Sequence, residues 1–263
     1  CFLFPFMRNH SNGDWRAQEP WAYSRSAMNV IRDYIRLRYR LMPYLYNLFV
    51  DQEARGEAIL RPLIYDFEAT PELVRMTDQF MVGPHILQAP LLEEEPRLRE
   101  VILPGDVSWL DARTGEWLPP GAVRVSPARS ETPLYVRSGA IIPVQRGTIK
   151  TNRKDLDVVD FHVFCAPGSE GESFYFHHAD DGKSLAYRSG SRTTLRVRLQ
   201  WNRRKLEVEV EELSGGFGSV DWRVYVHGQS REMKLNGRPA ETRPARLQLV
   251  GKPIAGRCLL AQR

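Results

Sequence analysis

Apolar and polar positions fall into three textures along the chain. The first opens with a short apolar run, Cys1-Phe2-Leu3-Phe4-Pro5-Phe6-Met7, and passes into a polar stretch, Arg8-Asn9-His10-Ser11-Asn12-Gly13-Asp14. An apolar run of this length bounded by turn residues predicts a buried strand and then a loop. A helical repeat follows. Ile31, Ile35, Met42, Leu45 and Phe49 recur at three-, four- or seven-residue spacing, with Arg32, Arg36 and Arg40 off that stripe. Ser24 or Ser26 caps its start and Gly56 ends it. Pro43 predicts a kink or break near Met42. Residues 58–67 read as another largely buried strand, which completes the strand, loop, helix, strand order of a parallel βαβ unit.

The second texture begins near Val82. Short apolar runs at 85–92, 100–104, 108–111, 115–121 and 133–144 alternate with Pro/Gly turns, the spacing of an antiparallel β-sandwich. Residues 147–157 are polar and predict a second boundary. Beyond them alternation is strict. Leu195, Val197, Leu199 and Trp201 share one face, with Arg196, Arg198 and Gln200 on the other. Leu206, Val208 and Val210 repeat the pattern against Glu207, Glu209 and Glu211. A turn over 202–205 would set the arginines opposite the glutamates across a hairpin, pairs that contribute roughly 0.2–1 kcal/mol each. These set register and solubility and mark no site.

Composition adds exclusions. At 263 residues with 42% hydrophobic and 26% charged positions, the chain is an ordinary soluble globular protein with room for one large domain or several small ones. No apolar run reaches the roughly 18 residues of a membrane span. The first residue, Cys1, lies inside a strand-like run without a basic flank or cleavage site, so the start reads as a truncation. A cytoplasmic location is the default expectation. Three widely spaced cysteines, Cys1, Cys165 and Cys258, form neither a disulfide framework nor a zinc motif, and His177-His178 has no second ligand pair nearby. No cofactor or metal is expected. The net charge of +5 raises nucleic-acid binding. Basic and acidic residues balance over 1–150, however, and the excess beyond lies among alternating strands rather than in a phosphate-binding stripe. Neither nucleic acid nor membrane is expected as a partner.

The motifs then point to one family. Phe4-Pro5-Phe6-Met7-Arg8-Asn9-His10, followed by Gln18-Glu19-Pro20-Trp21, resembles a late barrel strand of glycoside hydrolase family 31. Residues 37–46 (LRYRLMPYLY) resemble its LRYRLLPYLY helix, proline included. Leu60-Arg61-Pro62-Leu63 is similar to its final barrel strand, and 78–83 with 89–92 to the passage leaving the barrel. Residues 132–143 (TPLYVRSGAIIP) resemble a paired strand of the family, and Asp180-Asp181-Gly182-Lys183-Ser184 with Ala186-Tyr187 and Gly190 its DDG signature. Six collinear matches carry far more weight than one.

The resemblance implies α/β plus all-β architecture. Residues 1–85 would be the C-terminal end of a (β/α)8 barrel, 86–150 a proximal antiparallel β-sandwich and 151–263 a distal one. It implies an enzyme that hydrolyses α-glucosidic or α-xylosidic bonds with retention, through an aspartate nucleophile and an aspartic acid. In the family both lie upstream of the segment matching Arg8-Asn9-His10, so the chain is expected to be inactive alone and no catalytic residue is assigned. Asp14 and Glu19 match neither motif and read as loop or helix-cap residues. The expected partners are an α-linked oligosaccharide or glycoside, together with the missing barrel portion or a second copy of the chain.

His10 carries over as a substrate-binding residue, since imidazole donates to or accepts from a ring hydroxyl and strand-end loops are where barrels bind ligands. Arg8 carries over beside it, with a buried ion pair at the strand end as the equal alternative. Trp15 and Trp21 are placed either to stack on sugar or to pack the rim. Asp180-Asp181-Gly182 lacks the alternating oxygen ligands of a calcium loop and reads as a tight turn. The rival overall reading is a non-catalytic β-sandwich module that binds carbohydrate or serves as scaffold.

Overall fold

The computed structural model describes residues 2–10, 12–14, 16–93, 98–146, 158–228 and 232–261. The expected boundary at 147–157 and Trp15 lie outside them. The helical repeat forms two helices, α1 (Arg25–Arg40) and α2 (Met42–Arg55). The Ser24 side chain accepts from the Ala27 amide and so satisfies one of the free N–H groups of the first turn. Helix α1 stops at Leu41, and Pro43 lies in the first turn of α2, where its missing N–H costs no hydrogen bond. Gly56, at φ 74°, takes the left-handed conformation that ends α2 and returns its amide to Gln52 O. A four-residue helix, α3 (Pro71–Val74), follows.

Two expectations near the chain start are corrected. Residues 2–6 form turns and bends, not a strand, although Phe2 and Leu3 are buried. Of residues 58–67 only β1 (Leu60–Arg61) is extended. It pairs antiparallel with β2 (Phe80–Val82), and a 3-10 turn (Leu63–Tyr65) follows. Apolar runs fix burial, but whether a buried segment is a strand depends on which backbone lies alongside to pair with it. The parallel βαβ sheet expected from 1–85 is therefore not formed among the described residues.

The remaining strands are β3 (Ile86–Gln88), β4 (Arg99–Leu103), β5 (Trp109–Asp111), β6 (Trp117–Leu118), β7 (Gly121–Val125), β8 (Leu134–Arg137) and β9 (Ile141–Gln145). Then come β10 (Val158–Cys165), β11 (Gly171–Ala179), β12 (Thr193–Trp201), β13 (Lys205–Gly215), β14 (Asp221–Gly228), β15 (Glu232–Leu235), β16 (Arg238–Leu247) and β17 (Ile254–Ala261). A six-stranded sheet runs β1-β2-β3-β8-β5-β6, with β4-β7 as a separate ribbon. Alternate residues of the six-stranded sheet enter two cores. Met81, Leu87, Trp109 and Tyr135 pack with the β4-β7 ribbon, while Val82, Ile86, Leu110 and Val136 join the core shared with α1 and α2. A sheet buried on both faces reads as continuous apolar runs, as residues 85–92 do.

The larger sheet has nine strands in the order β11-β12-β13-β15-β16-β17-β14-β10-β9, and its two end strands approach each other. Leu195, Val197, Leu199, Leu206, Val208 and Val210 are buried on its inner face. Burying each such side chain stabilises the fold by roughly 1.5–3 kcal/mol. Outside, Arg196 stands opposite Glu211 and Arg198 opposite Glu209, as the alternation predicts. Asn202 closes the hairpin by accepting from the Arg204 and Lys205 amides. Two pairings, β10 with β14 and β13 with β15, are parallel, which strand-by-strand patterning does not reveal. Strand pairing runs across both regions: β2 pairs with β3, and β9 with β10.

Candidate functional site

The loop carrying Arg8 and His10 is built on buried anchors. Leu3 is fully buried, and the Phe2 ring packs on Tyr34 of α1 with centroids 4.7 Å apart. Arg38, one turn further along α1, donates from Nη1 to Phe2 O (2.8 Å) and Phe4 O (2.6 Å), and from Nη2 to Pro5 O (3.1 Å). One planar guanidinium thus satisfies three carbonyls that no strand pairs. Beyond Met7 the side chains turn outward. Arg8 and His10 are both exposed, and Arg8 Nη2 donates to His10 Nδ1. Because guanidinium only donates, Nδ1 is the acceptor in this contact. Arg8 also lies over the Phe6 ring, 5.9 Å from its centroid. The structure therefore brings the two expected residues together. Arg8 contacts no carboxylate among the described residues, so the buried ion pair is not formed there.

Asn9 Nδ2 donates to Gln18 O at 2.6 Å and draws the loop closed at its base. A cleft of about 980 Å³ opens there between the loop, α1 and residues 88–91 and 129–132. Asn9, Arg16, Gln18 and Glu19 form one wall and Tyr34, Gln88 and Thr132 the other; Arg8 and His10 are not among its lining residues. The Tyr34 hydroxyl donates to Ser130 O and accepts from the Thr132 amide, which ties the cleft floor to α1. Burial raises the Tyr34 phenol above its usual range, opposed by the Thr132 amide. Gln88 Oε1 and Thr132 Oγ1 are buried and meet no hydrogen-bond partner among the described residues. Sequence reasoning passed over both, although a lone glutamine inside the apolar run 85–92 is the signal of a buried polar group. Trp21 is 73% exposed in a 3-10 turn (Pro20–Ala22), and Asp14 and Glu19 are not brought against His10 by any hydrogen bond among the described residues.

The Asp180 element is a fastening. Tyr46 of α2 donates to Asp180 Oδ1 at 2.6 Å, the Gly182 amide donates to the same oxygen, and Arg192 Nε reaches Oδ2 at 3.3 Å. Burial and then the hydrogen bond to Asp180 hold the Tyr46 phenol above its usual range. Asn47 donates to His177 Nδ1 and accepts from the His178 amide, both at 2.9 Å. Asp181 accepts from the Lys183 and Ser184 amides, the hydrogen bonds of a tight turn. No group of three or more His, Cys, Asp or Glu suited to a metal occurs among the described residues, and no helix there is long and apolar enough to cross a membrane.

Comparison with known families gives two matches of one origin. Residues 1–48 match the glycosyl hydrolases family 31 TIM-barrel domain and residues 56–142 the glycosyl hydrolase family 31 C-terminal domain. The chain belongs to glycoside hydrolase family 31. Among family 31 relatives, α-glucosidase 2 of Bacillus thermoamyloliquefaciens is 28% identical over 88% of this chain and 29% of its own length. An α-xylosidase of Saccharolobus solfataricus is 34% identical over 80% of this chain and 28% of its own length. The crystal structure of a family 31 α-xylosidase from Xanthomonas citri superposes on the whole chain with a TM-score of 0.70 at 24% identity, using 28% of that protein. The chain thus spans less than a third of the length of these relatives. The family 31 barrel match covers 1–48, where the described residues form a loop and helices but no strand.

Proposed function

We propose that this chain supplies a sugar-binding loop and the β-rich flank of a retaining α-glycosidase acting on α-glucosidic or α-xylosidic bonds. One observation carries the reading: an exposed Arg8–His10 pair on a loop whose base is buried and held by Arg38. With Nδ1 engaged by Arg8, His10 presents an Nε2–H donor to a ring hydroxyl, and the rest of the Arg8 fork offers further donors. Retention needs two carboxyl groups about 5–5.5 Å apart. Asp14 and Glu19 are exposed and make no hydrogen bond or ion pair with Arg8 or His10 among the described residues, so attack and protonation are assigned to barrel carboxylates outside this chain. The cleft with Gln88 and Thr132 at its floor is the face on which the remaining barrel, or a second copy of the chain, packs. On this reading residues 1–48 belong to the barrel and the β-rich remainder is its flank.

The test is complementation. The chain alone is expected to release no nitrophenol from aryl α-glucosides or α-xylosides, and co-expression with the preceding barrel portion is expected to give turnover. Turnover by the chain alone would overturn the assignment of the carboxylates.

A further inference from the structure

The outer face of the β11–β13 hairpin region is unlike the rest of the nine-stranded sheet. Along β11, Tyr175 and His177 point inward and are buried, while Phe174 and Phe176 face solvent at 48% and 41% exposure. Two residues apart on one strand, their Cα atoms lie about 7 Å apart and their side chains leave from a single face. Apart from Leu213 and Gly215 at the far end of β13, solvent-facing positions on β12 and β13 are charged or polar, so the aromatic pair on β11 stands beside a polar face. Arg198 sits opposite Phe174 with its guanidinium 5.9 Å from the ring centroid. Its Nε donates to Glu172 Oε1 at 2.6 Å, and Gln200 Nε2 donates to the same oxygen at 2.9 Å. At the Glu172 end the strip runs into a cavity of about 270 Å³ lined by Gly171, Gln200, Trp201, Asn202, Lys205 and Glu207. A Cβ on Gly171 would stand 2.8 Å from the Trp201 indole, so the glycine is what lets that ring lie against the strand end.

We propose that this face is a second carbohydrate-binding surface, with Phe174 and Phe176 stacking on pyranose rings of an α-linked glucan and the Gln200–Lys205–Glu207 cavity holding the hydroxyls of a neighbouring ring. The C–H face of a pyranose meets the electron-rich face of a phenyl ring, and its hydroxyls need donors and acceptors side by side. Arg198, Gln200 and Lys205 donate; Glu172 and Glu207 accept. The charges are mutually paired, Arg198 with Glu172 and Glu209, Arg196 with Glu211, and Lys205 with Glu207. Such a face offers no net field to a polyanion and suits a neutral polyhydroxylated ligand. A two-ring strip bordered by charges is also too small for the apolar centre of a stable protein interface. The surface is built from residues remote in sequence from His10; only the α-linkage of the ligand rests on the proposed function.

Native electrophoresis of the chain in gels containing glycogen or dextran tests this, with hydroxyethylcellulose and heparin gels as controls. The expected result is retardation by an α-glucan, weakened at least five-fold in apparent Kd by F174A/F176A. Both phenylalanines are exposed, and an unchanged melting temperature of the double variant verifies its fold. No retardation by either α-glucan, retardation only by heparin, or equal retardation of F174A/F176A would each overturn the proposal. None of these results depends on hydrolysis, so this surface and the proposed glycosidase reading fail independently.

Discussion

The same residue types serve opposite ends in two regions of this chain. In the loop at 8–19, His10 and Arg8 are exposed and joined mainly to each other. At the junction of α2 with the nine-stranded sheet, His177, Asp180, Tyr46 and Asn47 are closed into mutual hydrogen bonds. Burial consumes the hydrogen-bonding capacity of the second group, and exposure leaves that of the first available to a ligand. A histidine is therefore read from what surrounds it, not from its presence.

The largest effect expected from that difference is at Asp180. Asp180→Ala removes the acceptor of Tyr46 and Arg192 and leaves a largely buried cation without its carboxylate, with a cost of about 3–5 kcal/mol. Urea unfolding should show it as a lower midpoint, and an unfolding free energy unchanged within about 0.5 kcal/mol would mean the fastening is ornamental.

Acid sharpens the comparison next. His162 Nδ1 and His227 Nε2 lie 2.8 Å apart, and His227 Nδ1 donates to Ala255 O. Burial holds His162 well below its usual range and brings His177 down to about 3 and His227 to about 4. The unfolded chain binds protons below about pH 6.5 that the native state refuses, so stability is complete above that pH and falls as the pH drops toward 4. Each of these histidines contributes up to about 1.4 kcal/mol per pH unit in that window. The urea midpoint should fall between pH 7 and pH 5, and His227→Phe should flatten the slope.

Arg38→Met gives a smaller loss, about 1–3 kcal/mol, because three carbonyls lose their donor while the stem volume is kept. It should also speed proteolysis within residues 8–19; equal cleavage rates would show that Arg38 does not hold the loop. Smallest of all is Arg196→Ala on the exposed hairpin face, within about 0.5 kcal/mol despite its ion pair with Glu211.

These regions also mark what could be read from sequence. The β12–β13 hairpin was legible from its turn to Leu195, because a period of two with opposite charges on facing positions fixes face, turn and register together, but the register shift between Thr194 and Leu195 was not. The helix break at Pro43 and the stop at Gly56 were legible for the same reason: each has one local physical cause. The strands expected at 1–7 and 58–67 were not, since burial alone does not supply a pairing partner. The parallel pairings of β10 with β14 and β13 with β15 join segments far apart in the chain, and no local pattern encodes them. At the candidate site, His10 and Arg8 were found through motif resemblance. Arg38, which holds their loop, looked like an ordinary charge on a helix face.

The central claim is that His10 binds substrate and does not hold up the fold. The most direct measurement is kcat/KM on an aryl α-glucoside for a complemented enzyme carrying His10→Ala, with its thermal midpoint taken in parallel. Losing a hydroxyl contact used in the transition state predicts a fall of roughly 10²-fold, about 2.7 kcal/mol, with the midpoint unchanged. An unaltered kcat/KM, or a midpoint that falls along with it, would contradict the account.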